Sequence, residues 1–183
     1  MKVIITDADF KQSLSITRAL GLRGKEVTLV GYEKDTVSFL SKFCTKKLIS
    51  PPIYKKQEFI SFLLNEVKND KYDLLITLSD ISTEYLSEYR EEFAKYVNFA
   101  IPKHEVVLRC LNKHELYKFA KEKGFSIPET LFVEDENEIG NLKNKLQFPV
   151  VVKYPRGGGG DNNIYCNTIG VNSNLLGQHF GYT

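Results

Sequence analysis

Val3-Ile4-Ile5-Thr6-Asp7-Ala8-Asp9 is the stretch on which the fold turns. Three consecutive apolar residues, all of them β-branched, run through Thr6 into two aspartates. This is the pattern of a buried strand ending in a polar loop. A helical stretch follows, with Leu14, Ala19 and Leu20 on its inner side, and Gly24 stands where a helix stop needs φ > 0. Val27–Val30 reads as the next strand. Strand, helix and strand within about thirty residues make a βαβ unit, whose crossover is right-handed in nearly every known case.

The pattern continues outward. Thr36–Phe43 reads as a short helix, and Pro51-Pro52 breaks regular structure after Leu48-Ile49. Phe59, Phe62, Leu63 and Val67 fall at i, i+3, i+4 and i+8, the stripe of an amphipathic helix. A third strand is expected over Asp73–Leu78, a helix over Glu84–Tyr96 and a fourth strand over Val97–Ile101, stopped by Pro102. Near-continuously apolar strands, alternating with helices, predict an α/β domain with a parallel sheet covered on both faces.

The pattern changes after Pro102, and a domain boundary is expected near residues 102–105. Val106–Leu111 is a short helical run. Asn112 then caps a second helix, with Glu115 three residues on as in a capping box, Leu116, Phe119 and Ala120 inward, and Gly124 at its end. Ile127–Val133 reads as extended and Glu136–Leu146 as a helix weakened by Gly140. Phe148–Lys153 is an apolar strand, followed by Gly157, Gly158, Gly159 and Gly160, and Ile164–Cys166 returns as a hairpin partner.

Composition narrows the function. Of 183 residues 42% are hydrophobic, which supports a real core. The 25 basic and 23 acidic side chains leave a net charge of +2, which gives no electrostatic case for nucleic acid or a membrane surface. No stretch approaches the ~20 apolar residues of a membrane span, and Met1–Ile5 is too short for a signal-peptide core. Cys44, Cys110 and Cys166 lie far apart without metal-site spacing, which fits thiols in a reducing, cytoplasmic setting. His104, His114 and His179 are scattered, and surface or helix-packing roles are expected for them.

The glycine run carries the chemistry. Without Cβ atoms, its backbone N–H groups can converge on an anion, and Lys153 supplies a cation at its base. The competing reading is a linker or hairpin tip. No Gly-Lys-Ser/Thr closes the loop and it opens no helix, so it is neither a Walker A motif nor a dinucleotide fingerprint. Thr6–Phe10 also lacks the fingerprint glycines, so the first domain is Rossmann-like without that chemistry. Asp7 and Asp9 have two readings, substrate contacts or caps of the first helix, and the second is favoured.

Taken in order, Asn112-Lys113 opening a helix, Lys123-Gly124-Phe125-Ser126-Ile127-Pro128, Phe148-Pro149-Val150-Val151-Val152-Lys153 and the glycine run resemble the ATP-grasp superfamily. The likeness is to carbamoyl-phosphate-synthase-like carboxylate ligases, among which Ser41-Lys42-Phe43 also has parallels, and it covers roughly residues 1–165. Asn112 stands for the family's usual Asp, Tyr154 intervenes before Pro155, and Asn162-Asn163 replace a frequent Arg-Gly.

The resemblance implies a pre-ATP-grasp domain at 1–103, a partial α+β ATP-grasp lobe at 104–166 and an irregular tail at 167–183. It implies that Lys113 and Lys153 contact ATP phosphates, with Gly157, Gly158, Gly159 and Gly160 as the flap over them. The implied chemistry activates a small carboxylate as an acyl phosphate, which an amine or another nucleophile then attacks. Mg²⁺ is expected for the complete enzyme, with its ligands in a second lobe absent from these residues. The expectation is an N-terminal fragment, truncated, frameshifted or split, that is inactive alone unless an oligomer or a second chain supplies that lobe. The alternative is a non-catalytic Rossmann-like binding module with a vestigial nucleotide site.

Overall fold

A computed structural model describes residues 1–133, 145, 147–157 and 163–167. The chain divides into two compact units, Met1–Leu108 and Arg109–Thr183.

In the first unit the elements run β1 (Lys2–Ile5), α1 (Lys11–Gly21), β2 (Glu26–Gly31), a 3₁₀ turn (Val37–Leu40), β3 (Cys44–Ile49), α2 (Lys56–Asn69), β4 (Leu74–Ile76), α3 (Asp80–Glu88), α4 (Arg90–Phe93) and β5 (Asn98–Phe99). A helix α5 (His104–Leu111) runs across the division between the units. The strands form one parallel sheet in the order β3-β2-β1-β4-β5. Val3, Ile5, Val27 and Leu29 are fully buried on one face, where Ile16 and Leu20 of α1 and Phe39 pack on them. Ile4 is also fully buried and points to the other face. On that side Lys2, in register with it, reaches Asp70 at the end of α2, whose stripe Phe59, Ile60, Leu63 and Val67 is buried. Burial on both sides explains why the inner residues of β1, β2 and β4 are nearly all apolar, with the buried Thr28 as the exception in β2. Gly24 sits at φ 69° and Gly124 at φ 76°, the left-handed conformation that ends α1 and the helix after Asn112.

Several boundaries differ from the sequence expectation. The helix expected over Thr36–Phe43 is only a 3₁₀ turn, and β3 follows it unforeseen. β3 lies at the sheet edge and alternates half-buried with exposed residues, so its lysines sit on a strand that only one neighbour pairs. The helix expected over Glu84–Tyr96 starts earlier, because Ser79 Oγ accepts the Ser82 N–H, and breaks at Tyr89, whose φ and ψ of −95° and 21° are not helical. The fourth strand shrinks to Asn98–Phe99.

The second unit holds α6 (Lys113–Glu122) and an antiparallel hairpin of β6 (Val150–Val152) and β7 (Ile164–Cys166). Ile127–Val133 joins no strand. The helix expected at Glu136–Leu146 falls almost wholly, and the tail past Asn167 entirely, outside the described residues.

Candidate functional site

In the second unit, Asn112 is extended, at φ −104° and ψ 108°, and its side-chain oxygen accepts the N–H groups of His114 (3.0 Å) and Glu115 (3.3 Å). This is one half of a capping box, since the Asn112 N–H donates to the Arg109 carbonyl. The cap fixes where α6 begins and so where Lys113 stands. The Lys113 N–H donates to the Pro155 carbonyl at 2.8 Å, and its Nζ donates to the Gly157 carbonyl at 2.5 Å. Two of the residues singled out in the sequence, 44 positions apart, are thus joined directly.

The hairpin places the rest. Val151 lies opposite Tyr165, so both share a face, and both are exposed, at 43% and 73%. On the other face Val150 and Val152 lie opposite Cys166 and Ile164, and Cys166 is buried. Lys153, two residues past Val151, continues the exposed face and is itself exposed. Gly157 has φ 117°, and a Cβ added there would meet no atom of the described residues within 4 Å. Gly158, Gly159 and Gly160 lie outside the described residues. Sequence reasoning did not single out Val151 and Tyr165. Their signal was the alternation within Val150–Val152, hidden because all three are valine.

A cavity of about 510 Å³ lies along α6, lined by His114, Lys118, Lys121, Glu122 and Phe132, with the His114 and Phe132 rings stacked at 4.2 Å. Lys113, Lys153 and Gly157 are not in that lining, so the cavity is separate from the lysine and glycine cluster.

In the first unit the two aspartates do not cap α1, contrary to the favoured reading. Phe10 occupies the cap position, with no side-chain bond. The Asp7 carboxylate accepts from the N–H groups of Leu78 (3.0 Å) and Ser79 (3.2 Å) and from the hydroxyls of Thr6 (2.6 Å), Ser79 (2.8 Å) and Ser82 (2.6 Å). It lies past the carboxyl ends of β1 and β4, where the order of connection reverses and open α/β sheets usually bind ligands. Asp9 accepts from the N–H groups of Tyr32 (3.2 Å) and Glu33 (3.3 Å) and from the Thr36 hydroxyl, tying the β1 loop to the β2 loop. His104 packs between helices, its Nδ1 2.7 Å from the Ser87 hydroxyl.

Among the described residues no group of three or more His, Cys, Asp or Glu side chains converges as a metal site, and no helix is long and apolar enough to cross a membrane.

No protein-family model matches the chain. A D-aspartate ligase from Enterococcus faecium is 32% identical over 89 residues, covering 47% of this chain and 21% of that protein. N5-carboxyaminoimidazole synthetase from Staphylococcus aureus, complexed with ADP, matches with TM-score 0.70 at 14% identity, over 98% of this chain and 43% of that one. The L-amino acid ligase from Bacillus licheniformis matches with TM-score 0.65 at 13% identity, over 97% and 41%. The biotin carboxylase domain of the Hydrogenobacter thermophilus 2-oxoglutarate carboxylase, complexed with MgADP and bicarbonate, matches with TM-score 0.65 at 20% identity, over 92% and 38%. The chain therefore spans about a fifth of the length of the curated relative and about two fifths of these solved structures. These TM-scores establish the fold, which the chain shares with about two fifths of each of these ATP-grasp carboxylate–amine ligases.

Proposed function

We propose that the chain is the N-terminal portion of an ATP-dependent ATP-grasp ligase, with the nucleotide held in the second unit. The observation that carries this reading is the direct bond from the Lys113 ammonium to the carbonyl of Gly157, in the loop that follows β6. Lys113 and Lys153 are compact point charges suited to phosphate oxygens. The N–H groups of Gly157 to Gly160 would add donors for the same charge. The exposed pair Val151 and Tyr165 continues the face that Lys153 occupies and offers an apolar platform for the base.

ATP, when bound, supplies the phosphoryl group that activates a small carboxylate for attack by an amine or another nucleophile. The role of these residues is to bind and orient the phosphates and to stabilise charge developing on phosphoryl oxygens. In this reading residues 1–103 form a Rossmann-like preceding domain and 104–166 part of the nucleotide lobe of a cytoplasmic enzyme. Mg²⁺ ligands and further substrate contacts come from the remainder of the lobe, in the same polypeptide or in a second one.

Calorimetric titration with ATP tests the reading. Lys113→Ala and Lys153→Ala should each weaken binding by about tenfold or more, since a hydrogen bond to a charged group contributes roughly 1.5–3 kcal/mol. Equal affinity in the wild type and both variants would refute it. A second reading, a non-catalytic binding module with a vestigial nucleotide site, draws on the contrast in burial between the units. Among the described residues of the second unit, only Cys166 is buried. No binding at millimolar ATP would favour that reading.

A further inference from the structure

Gly157 faces Lys113 with its carbonyl, and that orientation assigns it a role distinct from donating an N–H to phosphate. The Lys113 side chain is long and flexible, and an unanchored ammonium samples many positions. Here it is held from two directions. Its backbone is fixed by the Asn112 cap and by the bond from its own N–H to the Pro155 carbonyl. Its Nζ is fixed by the Gly157 carbonyl at 2.5 Å. An ammonium has three donors, so one spent on Gly157 leaves two for an anion. The N–H groups of the first three α6 residues are already taken, Lys113 by Pro155, His114 and Glu115 by Asn112. An anion at this end of α6 must therefore be met by the Lys113 side chain and not by the helix terminus.

Resting on the nucleotide reading above, we propose that Gly157 is a positioning residue. Its carbonyl pre-orients the Lys113 ammonium toward the phosphates, and it acts on the ligand only through Lys113. Gly157 holds φ 117°, a backbone conformation that a residue with a Cβ rarely adopts. An alanine there would meet no atom of the described residues within 4 Å, so its effect would come through the backbone angle.

A double-mutant cycle on the full chain tests this, with inorganic tripolyphosphate as the probe and affinity read by calorimetry. Gly157→Ala should weaken tripolyphosphate binding by ~10-fold in the wild-type background. It should have almost no effect in Lys113→Met, because the residue it acts through is gone. Equal losses in both backgrounds would show that Gly157 meets the phosphate independently, and would overturn the proposal. So would wild-type affinity in Gly157→Ala. A second measurement needs no ligand: the ¹⁵Nζ resonance of Lys113 in the free chain should move in Gly157→Ala, and an unchanged resonance counts against the tie. Failure of the nucleotide reading looks different. In that case neither ATP nor tripolyphosphate binding responds to Lys113→Met, whatever the Lys113 resonance does.

Discussion

Asp7 is the residue that departs furthest from local preference. It holds φ 58° without being glycine, a conformation that aspartate adopts more readily than most residues but still at a cost. Five donors on its carboxylate compensate, and they bring the ends of β1 and β4 and the start of α3 together. The carboxylate thus takes up the donors at the switch point between β1 and β4 with an anion from the chain itself. Asp7→Asn keeps the tolerance for positive φ but replaces an acceptor with a donor. It should lower the unfolding free energy by roughly 1–3 kcal/mol, measured by urea titration of the chain. An unchanged midpoint would show that the donors find water as readily as they find Asp7.

Among the elements, β3 and α2 are linked by a chain of charges. Lys46 on β3 meets Glu66 at 2.5 Å and Asp70 at 3.2 Å, Lys2 meets Asp70 at 2.6 Å, and the Tyr72 hydroxyl donates to Glu66 at 2.6 Å. The hydrogen bond to Glu66 raises the Lys46 ammonium well above its usual 10.5. The bond from Lys2, then that from Lys46, lowers Asp70 from 3.8 to about 2. Burial, and then the bond to Glu66, raises the Tyr72 phenol. The signs set a window. The Asp70 contribution is complete above about pH 4 and is lost as the pH falls toward 2. The Lys46 contribution is complete below pH 10.5 and is lost only as the pH rises through its raised value. Unfolding free energy measured against pH should therefore lose this part at the acid edge and not between pH 5 and 9. Lys46→Met should remove only about 0.2–1 kcal/mol per pair, because the side chain is 39% exposed and solvent screens it. A loss centred near neutrality would contradict the assignment.

At the scale of the molecule, the described residues of the two units differ in how far their apolar side chains are buried. The first has a sheet whose central residues are fully buried on both faces. In the second, α6 has no buried residue, Phe125 is 68% exposed, and the hairpin has two strands. Two-stranded hairpins are marginal by themselves. Native-state amide exchange should therefore show β1, β2 and β4 protected to near the global unfolding free energy, with α6, β6 and β7 opening at a much lower cost. Uniform protection across both units would refute this contrast. Added ATP should slow exchange in β6 and β7 and leave β1 unchanged.

The sequence by itself determined the class of fold and the residues worth watching. Val3–Ile5 and Leu74–Ile76 are apolar throughout, and Val27–Val30 is apolar but for the buried Thr28, because both faces of the sheet are covered, so composition alone marked them as strands. Gly24, Asn112 and Gly124 act through their own backbone or cap chemistry, which is local and was legible for the same reason. β3 escaped because an edge strand can alternate lysine with half-buried residues, and whether such a segment becomes a strand depends on the neighbour that pairs with it. The partners of Asp7 and Asp9 escaped likewise. A carboxylate beside a helix start suggests a cap, yet donors from β4 and α3, more than seventy residues away, took Asp7 instead. The motif spacing nominated Lys113 and Gly157 as residues of one site. Only the tertiary structure decided that they meet, and that they meet through a carbonyl, because the direction of a peptide bond is set by its φ and ψ and by what lies across from it.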